Sequence, residues 1–261
     1  MSQHRFDLFF DLHGVLADLE IVSENYNDYL VRVLIPTGIK REEVSMIHRK
    51  AFVQWLEEIY DLSKTEEEIV FDPVEFINKY STIDKKWENF ILSNVPKHHR
   101  ESIRPLLDTK RVEYEALAYG APILYPEVQS VLEELKEISN LYMHIASSAS
   151  SQHVKGAVDR HQLHFFQTLI GYDTVKAPKK EKNGRYFKEM LALTQANPKR
   201  SIFVGNSIEE AQLSLRFGMH FIMLDRESQI NKIERNNLPY RVFDDLTEIL
   251  PLIYLFLTTS N

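Results

Sequence analysis

The run Phe6-Asp7-Leu8-Phe9-Phe10, closed at once by Asp11 and shortly after by Gly14, constrains the fold more than any other stretch of the chain. It is short, largely apolar and rich in Phe, so it reads as a strand buried on both faces, of the kind found in the middle of a parallel sheet. The acid and the glycine end it abruptly. Ligands of open parallel sheets lie beyond the carboxyl ends of the strands, which makes Asp11 a candidate catalytic residue.

Short apolar strands alternate with helical spacing again only after Gly120-Ala121-Pro122. Pro126-Glu127-Val128 opens a helix through Val131, Leu132 and Leu135, and residues 141–146 read as a strand. The serine run Ser147 to Ser151 follows, then a helix over about residues 152–162. Further strands are expected at 165–170, 201–205 and 220–224, with a helix between the last two that stops at Gly218, a glycine C-cap. The apolar stretch 249–257 is far short of the roughly 20 residues that span a bilayer, and reads as a packed C-terminal helix.

Residues 17–122 are different. Val44, Ile47, Ala51, Trp55 and Ile59 recur at helical steps. Asp72-Pro73-Val74-Glu75 reads as a helix start with its cap, and Trp87, Phe90 and Ile91 mark another helix. A further helix is expected over 112–119. The expected architecture is therefore α/β: a doubly wound, Rossmann-like parallel sheet core from 1–16 and 123–261, with an inserted all-helical domain at 17–122.

Composition narrows the function classes. A net charge of −7 speaks against non-specific nucleic-acid binding, and the absence of cysteine excludes disulfides, a thiolate nucleophile and Cys-type zinc. With no signal-peptide pattern at Met1 to Arg5, the expected location is cytoplasmic, with no membrane association. The basic stretch Pro96-Lys97-His98-His99-Arg100 reads chiefly as an exposed inter-helix loop, and His144, His153, His161 and His164 form no metal-ligand pattern.

Asp11-Leu12-His13-Gly14-Val15-Leu16 resembles the first motif of the haloacid dehalogenase-like (HAD) hydrolase superfamily, Asp-x-Asp-Gly-Thr/Val-Leu/Val, with His13 in place of the second acid. The resemblance implies that Asp11 is the nucleophile and that His13 takes over proton transfer. Ser147 matches the second motif, whose hydroxyl and following amide, here that of Ser148, hold phosphoryl oxygens. The third motif is a lysine in the loop Lys176 to Lys182. Counting back from Phe187 lands on Glu181, so a shift of one residue gives Lys182, which is favoured, or Lys180. Gly205-Asn206-Ser207-Ile208-Glu209-Glu210 resembles the fourth motif, Gly-Asp-Ser-x-x-Asp, with Asn206 and Glu210 replacing its acids. The residues 17–122 then correspond to the cap inserted between the first and second motifs.

The function that the resemblance implies is that of a hydrolase acting on a small phosphate ester or other small acidic molecule. Magnesium would be held weakly by Asp11, the backbone carbonyl of His13, Asn206 and Glu210 through water. Two alternatives stay open: a metal-free hydrolase in which Asp11 attacks carbon, and a non-catalytic member kept as a binding or regulatory module.

Overall fold

In the computed structural model, β1 (Phe6–Phe10) lies inside a six-stranded sheet of order β3-β2-β1-β4-β5-β6. The structure describes residues 5–63, 73–107 and 123–259. Every strand pairing is parallel: β2 (Leu141–Ala146) and β4 (Ser201–Gly205) flank β1, and β3 (Thr168–Ile170), β5 (His220–Leu224) and β6 (Arg241–Phe243) complete the sheet. Phe6, Leu8, Phe9 and Phe10 are at most 1% exposed, as a strand covered on both faces requires. Asp7 is also buried. His144 on β2 approaches it at 3.0 Å and Arg5 hydrogen-bonds the same oxygen, so the strand's one internal charge is paired. That settles His144 as structural.

The sequence places β2, β4 and β5 at their observed residues. β3 is shorter than expected, because only its last three residues pair with β2, while Gln167 uses its backbone and side chain to bond Met143. Helices connect the strands. α5 (Val128–Leu135) buries the four apolar positions of its stripe. α6 (Ser151–His161) is N-capped by the Ser150 hydroxyl and α9 (Ile208–Arg216) by that of Ser207. Gly218, at φ +78°, follows the end of α9. α7 (Tyr172–Val175), α8 (Arg185–Thr194), α10 (Lys232–Asn237) and α11 (Leu250–Thr259) complete this part of the chain.

The chain divides into two compact units, Met1–Leu19 with Ile123–Asn261, and Glu20–Pro122. The second contains α1 (Leu19–Leu34, from its second residue), α2 (Arg41–Ser63), α3 (Pro73–Asn94) and a helix, α4, through residues 100–107. Val44, Ile47 and Ala51 are buried in its core, with Trp87 and Phe90 packed against it. The two helices expected from Pro73 and from Trp87 are one, α3; no breaker separates them. Lys97–His99 form a short 3-10 turn, and Arg100 folds back to donate to the carbonyls of Val95 and Ser93. The helix expected at 112–119, the cap residue Asp72 and the side chains of Ile59, Tyr60, Phe76 and Tyr80 lie outside the described residues. Among the described residues no helix is long and apolar enough to cross a membrane.

Candidate active site

Strand register brings the site together. Phe10 is level with Ile145 on β2 and with Val204 on β4, so the residues just beyond, Asp11, Ser147 and Asn206, stand at neighbouring strand ends. β1 and β4 flank the point where the strand order reverses, the usual position of a ligand crevice.

Three charged side chains lie beneath this row. Lys179 has no exposed side-chain surface, and its Nζ lies 2.7 Å from Asp11 Oδ1 and 2.6 Å from Glu210 Oε1. Asp11 Oδ1 also accepts from the Leu12 N–H at 2.7 Å, and Glu210 Oε2 accepts from the Asn206 N–H at 3.1 Å. Gly205 lets Glu210 pass under the chain: a Cβ there would stand 2.4 Å from Glu210 Oε2. Burial opposes all three charges, and their mutual attraction restores part of what burial takes. Burial pushes the Asp11 carboxyl up to about 6, with Lys179 pulling it down and Glu210 pushing it further up. For Glu210 burial also acts upward, but Lys179 and Lys180 outweigh it and its pKa falls below the usual value. Lys179 stays a cation, because Asp11 and Glu210 more than offset its desolvation.

The opposite side of the row carries no net charge. Burial lowers the His13 imidazole to about 4, assisted by His153 and Lys179, so at neutral pH it is an uncharged base. Asn206 is exposed, and its Nδ2 donates to the His13 carbonyl at 3.3 Å. The two residues interlock at Gly14, whose φ is +76° and where any Cβ would strike the Asn206 amide. Ser147 is fully buried. Its Oγ accepts from the Ala149 N–H at 3.1 Å, and its carbonyl, like that of Ile170, accepts from the Tyr186 hydroxyl. Ser148 beside it is partly exposed.

Residues 8–218 match the haloacid dehalogenase-like hydrolase family. The chain belongs to that family. A curated relative, the glyceraldehyde 3-phosphate phosphatase of Methanothermobacter thermautotrophicus, is 31% identical over 94 residues. That match takes in 34% of this chain and 41% of the relative, so it spans about two fifths of the phosphatase's length. Among solved structures, L-2-haloacid dehalogenase from Xanthobacter autotrophicus superposes with a TM-score of 0.63 at 14% identity, over 96% of this chain and 98% of the other. The HAD hydrolase YfnB of Bacillus subtilis, bound to magnesium, gives 0.60 at 15% identity, over 96% and 99%. At such identities the likeness concerns the fold, including the helical insertion between β1 and β2.

Within the HAD framework, the third-motif lysine needs correction. Lys179 holds Asp11, whereas Lys180 and Lys182 are exposed. Counting back from Phe187 fails because α8 begins earlier, at Arg185, after a turn built on Glu181. That buried acid accepts from the N–H groups of Asn183 and Arg185, and Gly184 takes φ +68° to close the turn. The signal in the sequence is Glu181-x-x-Gly184, an acid that caps a helix and so does not stand for a lysine. Tyr186, which ties the ends of β2 and β3 together, carries no motif and is legible only in the fold.

The donor set at the position expected for a metal is smaller than the sequence suggests. Glu210, expected to help through water, instead has one oxygen on Lys179 and the other on the Asn206 N–H. Among the described residues no three His, Cys, Asp or Glu side chains are placed to hold a metal ion. The hard oxygen donors that remain are the second oxygen of Asp11, the Asn206 amide oxygen and the His13 carbonyl, which here also accepts from Asn206 Nδ2. Magnesium keeps most of its waters and uses one or two carboxylates together with substrate phosphate, so these residues fit it with a single carboxylate.

Proposed function

We propose that this HAD hydrolase cleaves small phosphate monoesters through an aspartyl-phosphate on Asp11. The observation that carries the proposal is the buried Lys179 ammonium, held 2.7 Å from Asp11 Oδ1 by its second contact to Glu210. A carboxylate attacks a dianionic phosphate only if charge is screened, and a preorganised cation in a dry site does so without reorganising.

An Asp11 oxygen attacks phosphorus, the P–O bond to the alcohol breaks, and the leaving alkoxide takes a proton from solvent water. Ser147 and the amide of Ser148 orient the phosphoryl oxygens, and Lys179 neutralises the charge that develops between phosphate and Asp11. Neutral His13 is suited to the second half, in which it accepts a proton from the water that attacks the aspartyl-phosphate. Asp11, the His13 carbonyl and Asn206 would hold magnesium, which when bound supplies further charge neutralisation at the phosphoryl group. Residues 17–122 are assigned as the cap.

The test is release of p-nitrophenol from p-nitrophenyl phosphate, with Asp11→Asn as control and with phosphoenzyme trapped and located by mass spectrometry. Asp11-dependent release with phosphate on Asp11 is expected. The alternative is attack of Asp11 on carbon, which is favoured by the single carboxylate at the metal position and the neutral Asn206. Chloride release from 2-chloropropionate without phosphatase turnover would decide for it. Absence of both activities, across a panel of small phosphate esters and haloacids, points to the non-catalytic member.

A further inference from the structure

Beyond β5 the chain continues through Asp225 to Arg226, a residue outside all four motifs. Its guanidinium makes three kinds of contact. Nη2 donates to the Val15 carbonyl at 2.8 Å, the same nitrogen lies 2.6 Å from Glu127 Oε1, and Cζ sits 3.6 Å above the Tyr125 ring. The Arg226 and Glu127 side chains are each only 13% exposed. A planar, weakly hydrated guanidinium can stack and hydrogen-bond at once, which an ammonium cannot reproduce.

What Arg226 grips is the loop that carries His13. The loop is closed internally: Gly14 N–H donates to Ala17 O, while Leu16 and Ala17 N–H both donate to Leu12 O. None of these bonds uses the Val15 carbonyl, which accepts from Arg226. Tyr125, under the guanidinium, donates its N–H to Leu16 O, so both ends of the arginine's contacts converge on the same turn.

We propose that Arg226 is a positioning residue that fixes the Leu12–Ala17 turn, and with it His13, for the Asp11 chemistry. It touches no reacting atom. The proposal rests on the phosphatase reading for its kinetic consequence but has a structural consequence of its own. Misplacement of a catalytic group by about 1 Å can lower a rate roughly 100-fold.

The test uses Arg226→Met with Glu127→Gln, so that no buried carboxylate is left unpaired, alongside Arg226→Lys and Glu127→Gln alone. Turnover of p-nitrophenyl phosphate is measured together with amide hydrogen exchange. Arg226→Met/Glu127→Gln should lower kcat about tenfold or more, with KM within about twofold. The Gly14, Leu16 and Ala17 amides should exchange faster while those of β1 and β4 keep their protection. Arg226→Lys should fall between, and Glu127→Gln alone should stay near wild type because the Val15 contact survives. Unchanged kcat in the folded double variant overturns the proposal, as does a uniform rise in exchange across the sheet. If the wild type shows no Asp11-dependent turnover, the phosphatase reading fails and exchange alone decides for Arg226. Locally faster exchange then supports it, and none overturns it.

Discussion

Two sides of one site differ sharply. Asp11, Lys179 and Glu210 are buried and charged, with Lys179 holding both acids. His13 and Asn206, across the same strand ends, are neutral and less buried, and they are joined by a 3.3 Å hydrogen bond from a side-chain amide to a backbone carbonyl. The buried side keeps the residue types of the HAD motifs or a homologous acid. Both replacements of an acid by a neutral group fall on the other side. A buried ion network tolerates little change, because removing one member strands the others in a low dielectric. A partly hydrated position carries no such penalty, so chemistry can drift there while the fold survives.

The comparison is broken most severely at its centre. Asp11→Asn should remove turnover, by at least about 10⁴-fold, since an amide cannot form the aspartyl-phosphate. Circular dichroism should show the fold retained. Lys179→Met should be both inactive and unstable, losing about 3–5 kcal/mol because Asp11 and Glu210 are left buried without a cation. Adding Glu210→Gln to Lys179→Met should recover part of that stability in urea melts but none of the activity. Lys182→Met, at the exposed position, should lose less than about 0.5 kcal/mol. Equal effects at Lys179 and Lys182 would show that the ion network has been misassigned.

The charged side was legible in outline and wrong in one register. Asp11 declares itself because a hydrophobic strand ends on it, and β2, β4 and β5 could be placed to the residue because their apolar runs have sharp polar ends. Lys179 could not be reached by counting, since loop length is set by local turn chemistry, here the Glu181 cap, and not by the strands on either side. Glu210 was visible as an acid at helical spacing after Asn206. Its partner was not, because an ion pair between residues 31 positions apart exists only once the sheet has assembled. β6 was missed for a related reason: three residues at the sheet edge carry too short a pattern to read.

On the neutral side the effects should be smaller and separable. His13→Ala should lower kcat about 100-fold if His13 is the base for the attacking water, and phosphoenzyme should accumulate. Because neutral His13 offers no proton to the departing alcohol, rates should also depend steeply on leaving-group acidity, aryl phosphates outrunning alkyl ones. Loss of activity without phosphoenzyme accumulation would move His13 out of the second step. Asn206→Asp adds a carboxylate at the proposed magnesium position and should tighten metal binding about tenfold by isothermal titration. Unchanged affinity would mean that Asn206 does not face the ion.

The smallest effect distinguishes the two sides by pH. Asp11 titrates near 6 in the folded protein against 3.8 for an ordinary aspartate, so between those values the native state holds more protons than the unfolded one. Stability contributed by Asp11 therefore falls as pH rises through that window and stays low above it, the reverse of a salt-bridged acid. Glu210, shifted downward, acts in the opposite sense: its stabilisation is present above the ordinary glutamate value of 4.5 and is lost as pH falls from there to its lower folded value. In metal-free buffer, urea melts should show the wild type gaining about 1 kcal/mol relative to Asp11→Asn as pH drops from about 7 to about 5.5. Saturating magnesium should shrink that gain, because a cation on Asp11 favours its ionised form. His13, lowered from 6.5 to about 4 by burial, costs stability as pH drops through this interval, because the unfolded chain takes up its proton first, but it does so in both proteins and cancels from their difference. A pH-independent difference between wild type and Asp11→Asn would show that Lys179 compensates the burial of Asp11 completely. The nucleophile would then be an ordinary carboxylate, ionised throughout the range in which the enzyme works.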